Sequence, residues 1–231
     1  MTSGGFTAAF LDLVPAFERM TRHTVATSFG ASMGGAPDSI PSRLSRGEPA
    51  DIVIMARPAL DLLIAQGTVV PGSAVDLVRS EIGMAVRHGA PKPDISSVEA
   101  LTRTLLAARS IAYSASASGV YLATDLFPRL GVADQIRDKS RRIESERVGA
   151  VVARGDAEIG FQQVSELLPI AGIDYVGPLP PGAQQVTVFS AGMAARAGAP
   201  AAARALIAFL ASPAAAPAIR KTGLEPITSA P

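Results

Sequence analysis

The chain contains no cysteine and no tryptophan, and its 231 residues include only two histidines. The absence of cysteine excludes disulfide bonds, thiolate chemistry and cysteine-ligated metal sites. His23 and His88 lie far apart, and neither belongs to a histidine pair with the spacing of a zinc or iron motif. We therefore expect no metal site and no cofactor.

Charge of either sign is also scarce, because charged residues make up 18% of the chain and the net charge is +1. A chain without a basic excess is not expected to bind nucleic acid. No apolar run is long enough to cross a membrane, so we expect no direct membrane insertion. Hydrophobic residues reach 48%, which predicts a folded chain with a substantial core.

Predicted strands alternate with predicted helices along the whole chain. Short apolar segments typical of strands occupy residues 24–29, 51–55, 81–86, 158–161 and 187–190. Apolar residues at helical spacing occupy residues 6–20, where Pro15 predicts a kink or a break, and two alanine-rich segments near the end. This alternation predicts an α/β fold with mostly parallel sheets.

Loops of small residues lead into several of these helices, at residues 2–5, 30–37 and 114–119. A helix start leaves backbone N–H groups unpaired and partially positive, so it can bind an anion without a lysine or arginine. An ordinary serine cap without a ligand is the alternative for each loop. Three such loops in one chain favour a ligand.

Four segments taken in order resemble the molybdate-type periplasmic solute-binding proteins of ABC importers. They are residues 47–53 (GEPADIV), 117–121 (ASGVY), 152–161 (VARGDAEIGF) and the closing segment 205–224. The resemblance implies a two-lobed fold like the type 2 periplasmic binding proteins, with two crossover segments and an interlobe cleft for the ligand. The crossovers would lie near residues 79–84 and 185–190. Lobe 1 would comprise residues 1–80 plus 189–231, and lobe 2 residues 81–188.

The resemblance also implies which residues bind the ligand. The family's ligand positions fall on or near Ser3, Gly4 and Gly5, on Ser32 and Met33, on Ser118 with Gly119, near Ser145, and on Gln163. The family's serine in the first loop falls near Gly4 and Gly5, so its hydroxyl is lost unless Ser3 substitutes, and glutamine replaces the tyrosine of the molybdate binders at the last position. An organic carboxylate is therefore favoured over molybdate.

The resemblance predicts a solute-binding protein that holds a small anion, acts as a monomer and delivers its ligand to an ABC permease in the periplasm. Residues 1–6 have neither a basic end nor an apolar stretch, so no signal peptide is visible, and a cytoplasmic location stays an open alternative. We expect a binding protein rather than an enzyme.

Two other functions stay open. One is an isomerase acting on a di- or tricarboxylate, because aconitate isomerase resembles the same family in its scaffold. Such an enzyme needs only a positioned base to move a proton. The candidate bases are His23, Tyr121 and Glu146. Tyr121 also fits a core position, and Glu146 follows the basic pair at residues 141–142. An effector-sensing domain is the second alternative. Arg79 and Arg147 are expected either in surface or hinge ion pairs or on a ligand carboxylate.

Overall fold

The computed structural model describes residues 1–227, which form nine strands and eleven α-helices. The strands are β1 Ile52–Ala56, β2 Val75–Ser80, β3 Ile82–Arg87, β4 Ile111–Ser114, β5 Ser140–Ile143, β6 Ile159–Gln163, β7 Ile173–Pro178, β8 Thr187–Met193 and β9 Glu225–Pro226. The helices are α1 Gly4–Thr21, α2 Ile40–Ser45, α3 Arg57–Ala65, α4 Val98–Ala107, α5 Ala117–Tyr121, α6 Phe127–Arg129, α7 Ala133–Ile136, α8 Val148–Ala153, α9 Val164–Leu167, α10 Pro200–Leu210 and α11 Ala216–Lys221.

The chain divides into two compact units. Unit 1 combines Met1–Ser80 with the segment from Thr187 onward, and unit 2 is Glu81–Val186. The chain therefore passes from one unit to the other after Ser80 and again after Val186.

Unit 1 is built on a four-stranded sheet in the order β1-β8-β2-β9, in which every pair of neighbours is antiparallel. Helix α1 packs against β1, α10 and α11, and α3 packs against β1 and β8. The apolar face of α1 is buried, with Phe6 and Phe17 almost fully enclosed. Burial of an aromatic side chain stabilises a fold by roughly 1.5–3 kcal/mol, so this face accounts for much of the helix's anchoring.

Unit 2 is built on a five-stranded sheet in the order β5-β4-β6-β3-β7. Strand β4 pairs in parallel with β5 and β6, whereas β3 runs antiparallel to β6 and β7. A large apolar cluster lies between this sheet and helix α4 and includes Met84, Leu101, Leu105 and Phe161. A smaller cluster under α8 includes Val151.

Several expectations from the sequence need correction. The sheets are mostly antiparallel, because β3 and β8 begin just after the chain enters a unit and run against strands that are distant in sequence. Residues 24–29 do not form a strand, and only Phe29 makes a bridge, to Thr2. Thr2 also bridges Ile54, so one extended residue shortly before α1 pairs with two segments of unit 1. Pro15 lies inside α1 without ending it.

Among residues 1–227, no single helix is both long and apolar enough to cross a membrane. The bent pair formed by Pro200–Leu210 and Pro213–Lys221 passes the same test of length and composition, as core helices also do.

Candidate functional site

Ser3 occupies the N-cap of α1, the longest helix in the described chain, but its hydroxyl does not cap the helix. The residue is 2% exposed, and Ser3 Oγ has no hydrogen-bond partner within residues 1–227. Its backbone is fixed, because Ser3 N donates to the carbonyl of Ile54 over 2.8 Å. The first turn of α1 contains no acidic residue. A buried hydroxyl without a partner at a helix start is suited to an anionic ligand.

The two glycines after Ser3 bring this helix start close to the sheet. A Cβ atom at Gly5 would lie 2.3 Å from the ring of Phe189 on β8, so no larger residue fits there. Gly4 is the first residue of the helix and is partly exposed. Packing against Phe189 therefore explains why residue 5 is a glycine. Of the two glycines, Gly4 is the one whose backbone is partly exposed in the first turn of α1.

Ser32 joins the second loop to the end of β1. Its Oγ accepts a hydrogen bond of 2.9 Å from the backbone N–H of Ala56, and the residue is 1% exposed. A serine that accepts through oxygen still has its own proton to donate. Met33 is partly buried and packs on the core cluster that contains Ile40 and Met55, which favours a packing role.

Arg57, directly after Ala56, was not identified from the sequence. Its Nη1 lies 2.7 Å from Asp76 Oδ1 and its Nε 2.8 Å from Asp61 Oδ1, and Ser190 Oγ donates to Asp76 Oδ1 over 2.6 Å. Desolvation raises the pKa of Asp76, but the hydrogen bonds from Ser190 and Arg57 outweigh it and hold that pKa below its usual value. The sequence feature that could have identified Arg57 is its position as a charged residue immediately after a buried strand.

In unit 2, the turn between β4 and α5 brings a helix start against a strand end. A Cβ atom at Gly119 would lie 1.5 Å from the carbonyl oxygen of Ser114, so this approach requires glycine. Ser114 Oγ accepts from the N–H of Ser116 over 3.0 Å, which closes the turn. Ser118 is 2% exposed and lies in the first turn of α5.

Helix α5 continues through a π-helical turn, Leu122–Leu126, into α6. Such turns interrupt regular helices and are frequent near functional sites. Tyr121 stands just before this turn, and its hydroxyl donates to Ala183 O over 3.0 Å while accepting from Arg129 Nη2 over 2.8 Å. The hydroxyl is engaged on both sides, and desolvation raises its pKa, so these contacts favour a structural role.

A buried glutamine links the start of α8 to a carboxyl group. Gln162 Oε1 accepts from the N–H of Val148 over 2.9 Å, and Gln162 Nε2 donates to Glu166 Oε1 over 2.9 Å. Desolvation raises the pKa of Glu166 to about 7, against the opposing effects of the Arg147 charge and the Gln162 hydrogen bond. Of the carboxyl groups in residues 1–227, only that of Glu166 has a pKa clearly above its usual value.

The remaining candidates at this end of unit 2 differ in exposure. Gln163, the last residue of β6, is buried and its side chain or backbone is already engaged, whereas Ser145 is exposed. Arg147 is partly buried, immediately before α8, and within the described residues its guanidinium forms no hydrogen bond or ion pair. Arg79, by contrast, faces Glu225 at 3.8 Å on the exposed surface of unit 1.

The other two candidate bases are Glu146 and His23. Glu146 is paired with an arginine, and His23 lies far from Ser3. Glu146 forms two hydrogen bonds with Arg154, of 2.6 and 2.7 Å, and that pairing lowers its pKa. His23 is exposed beside the C-terminal end of α1, where its ring lies 6.3 Å from that of Phe17. An 18-residue helix is about 27 Å long, so His23 is far from Ser3.

No group of three or more histidine, aspartate or glutamate side chains within residues 1–227 is arranged to hold a metal ion. The candidate groups are instead serine hydroxyls, helix starts and Arg147. Such donors bind oxyanions and carboxylates.

Comparison with known proteins gives consistent results. A family model described as bacterial extracellular solute-binding protein matches residues 1–225. An aconitate isomerase from Pseudomonas sp is 49% identical over 231 residues, which is 100% of this chain and 88% of that protein.

Solved structures are similar in fold at lower sequence identity. The periplasmic molybdate-binding protein of Azotobacter vinelandii matches with a TM-score of 0.76 and 22% identity, over 99% of this chain and 98% of that one. The L-phospholactate-bound structure of PEB3, a Campylobacter jejuni protein, matches with a TM-score of 0.72 and 15% identity, over 97% of both chains. These similarities confirm the predicted two-lobed α/β fold of the type 2 periplasmic binding proteins.

Proposed function

Because this chain belongs to the bacterial extracellular solute-binding protein family, we propose that it binds an organic polycarboxylate and interconverts the isomers of aconitate. The membership confirms the family predicted from the ordered sequence motifs. The observation that carries the proposal is the 49% identity with aconitate isomerase, which extends over the entire chain. The sequence had favoured simple binding of a carboxylate, with isomerisation as the alternative.

Each unit, taken by itself, contains groups suited to carboxylate binding. In unit 1, Ser3 offers a hydroxyl that has no partner within residues 1–227 at the start of α1, and Ser32 offers a hydroxyl proton. In unit 2, Ser118 offers a hydroxyl in the first turn of α5, and Arg147 offers a guanidinium without an ion pair in the described chain. Arginine binds a carboxylate through two parallel hydrogen bonds, and helix starts add partial positive charge.

Glu166 is the group we assign to proton transfer. Interconversion of cis- and trans-aconitate moves one proton: a base removes it from the methylene carbon, the double bond shifts, and the protonated base returns it to the former vinylic carbon. A base with a pKa near the working pH suits both steps. The pKa of Glu166 is about 7, and Gln162 ties its carboxyl to the first N–H of α8. This proton transfer requires no oxidant, reductant or cofactor.

Delivery of a bound solute to an ABC permease, from a periplasmic location, is the second candidate function. The family and the molybdate-binding structural relative support it. The relative with bound L-phospholactate supports an organic ligand within the same fold. An importer-type protein binds its ligand without turnover, which separates the two candidates experimentally.

The test is to mix the purified protein with cis-aconitate and, separately, with trans-aconitate, and to follow both isomers by proton NMR. An isomerase brings both mixtures to the same final ratio, and deuterium from D₂O enters the substrate if the base exchanges its proton. No conversion at micromolar protein would overturn the enzymatic proposal. Thermal unfolding with the same ligands then tests binding, because a hundredfold excess over Kd stabilises a protein by about 2.7 kcal/mol. Stabilisation by molybdate but not by carboxylates would overturn the choice of ligand.

The variant Glu166→Gln tests the assignment of the base. It keeps an oxygen to accept from Gln162 and removes only the ability to take up a proton. We expect kcat to fall at least a hundredfold with KM little changed. Unchanged kcat would remove Glu166 from the mechanism while leaving the aconitate isomerase proposal intact.

A further inference from the structure

A cavity of about 780 Å³ lies within unit 2, away from the loops described above. It is formed where β3 ends and β6 begins, together with α4 and the loop after β3. Gln163 and the start of α9 lie at the opposite end of β6, about 13 Å away for a strand of five residues. The cavity volume falls within the range of small-molecule sites.

The bottom of the cavity is apolar. Val86, Ala108 and Ile159 are almost completely buried there and continue into the main core of the unit. A ligand with a short hydrocarbon body would cover this surface and displace water from it.

The rim is mostly cationic, with two carboxylates among four basic side chains. The cations are Arg87, Lys92, Arg103 and Arg109, and the carboxylates are Asp94 and Glu158.

Both rim carboxylates are engaged locally. Glu158 accepts from the N–H and the Nε of Arg109, over 2.7 and 3.2 Å, and Asp94 accepts from the N–H of Ser96 over 2.9 Å. Lys92 Nζ donates to the carbonyl of Tyr175 over 2.9 Å.

Arg87 and Arg103 are different, because neither side chain forms a hydrogen bond or an ion pair with any residue in 1–227. They come from separate elements, Arg87 from the end of β3 and Arg103 from the middle of α4, and both line the cavity. Arg87 Nη1 passes close over Gly155, which would place a Cβ atom only 3.5 Å away. The charge of Arg103 helps to lower the pKa of Asp94 and of Glu99, although neither carboxylate forms a salt bridge with it. Two guanidinium groups that form no salt bridge within residues 1–227 and lie beside an apolar surface match an anion with charge at both ends.

We propose that this cavity is a second ligand site, which binds a small organic dianion with two carboxylate groups joined by a short apolar chain. Arg87 and Arg103 each bind one carboxylate, and the chain lies on Val86 and Ile159. The site is independent of the proposed catalytic function, because it shares no residue with the loops at Ser118 and Arg147.

The experiment is an NMR titration of the ¹⁵N-labelled protein at constant ionic strength. Glutarate is the probe, and butyrate is its matched control with one carboxylate. We expect the amide signals of Gly155 and Ile159 to shift with glutarate and saturate in the millimolar range or below, and to respond at least tenfold more weakly to butyrate. Equal responses to the two acids would overturn the proposal, as would responses confined to Gly119 and its neighbours.

The double variant Arg87→Ala/Arg103→Ala should weaken glutarate binding at Ile159 at least tenfold. The matched control is Arg204→Ala/Arg220→Ala, which removes two exposed arginines from helices of unit 1 and should leave that affinity unchanged. If the alanine variant does not fold, Arg87→Lys/Arg103→Lys keeps both charges and removes only the paired hydrogen bonds. Retention of full affinity in the folded variant would contradict the assignment of the two arginines.

Discussion

Gln162 donates a hydrogen bond of 2.9 Å from Nε2 to Oε1 of Glu166, a carboxyl group whose desolvation raises its pKa to about 7. The usual value is 4.5, so folding favours the protonated form. The raised pKa therefore contributes to the free energy of unfolding fully below about pH 4.5. This contribution decreases as the pH rises to about 7 and is absent at higher pH. A difference of roughly 2.5 pKa units corresponds to about 3 kcal/mol.

Glu166→Gln should therefore be more stable than the parent protein at pH 8, and the two should be more similar at pH 5. We expect the difference in free energy of unfolding to grow by about 2–3 kcal/mol across this range, measured by urea unfolding.

Glu158→Gln is the control, because folding shifts the pKa of Glu158 in the opposite direction, below its usual value. A hydrogen bond from the backbone N–H of Arg109 lowers the pKa of Glu158, so its effect changes only below pH 4.5 and stays flat between pH 5 and 8. A flat difference for Glu166→Gln as well would contradict the raised pKa of Glu166.

Gly119→Ala should destabilise the protein severely. The added Cβ atom would lie 1.5 Å from Ser114 O and 3.0 Å from the ring of Tyr113. Ser114 is buried and its carbonyl belongs to the backbone at the end of β4, so it has little room to move. We expect a loss of at least about 3 kcal/mol in the free energy of unfolding.

Gly35→Ala is the matched control, because an added Cβ atom at Gly35 meets no described atom within 4 Å. Its free energy of unfolding should stay within about 0.5 kcal/mol of the parent value. Equal midpoints for the two variants would show that α5 can move away from β4.

The sequence predicted the fold class because strand and helix periodicities are local, but it could not predict strand direction. The alternation of elements suggested parallel sheets, whereas β3 pairs with β6 and β7 across large sequence distances that no local pattern encodes. Residues 24–29 look like a strand by composition, yet Val25 donates to a side chain, Glu18 Oε1, instead of to a neighbouring strand.

The placement of two candidate residues at helix starts was predictable from the local sequence. Ser3 and Ser118 stand at helix starts because small polar residues precede an apolar helical pattern, which a single sequence reveals. Glu166 was not identified, because its pKa depends on desolvation and on Gln162 and Arg147, which only the folded chain brings near it.

Ser3→Ala should separate binding from stability. Removal of a buried hydroxyl that has no partner in the described chain should leave the free protein as stable or up to about 1 kcal/mol more stable. The affinity for aconitate should fall about tenfold, because a ligand carboxylate loses one donor. Isothermal titration and thermal unfolding of the same samples give the two quantities.

Ser97→Ala provides the reverse pattern. Ser97 Oγ caps α4 by accepting from the N–H of Ala100 over 3.1 Å, so its loss should cost about 1 kcal/mol of stability and leave affinity unchanged. If Ser3→Ala lowers stability like Ser97→Ala and binds normally, Ser3 Oγ is not a ligand group.

Arg147→Ala tests the cation at the start of α8. In the proposed complex Arg147 donates two parallel hydrogen bonds to a ligand carboxylate. Their loss should weaken aconitate binding by ten- to a hundredfold at neutral pH. The Arg147 charge also lowers the pKa of Glu166, so the variant should move the acidic limb of the kcat profile to higher pH. This second readout distinguishes Arg147 from a residue that only supports the fold. Arg137→Ala removes an exposed arginine that pairs with Asp134 and should change neither quantity. A normal affinity together with an unshifted pH profile for Arg147→Ala would place the ligand carboxylates elsewhere in the chain.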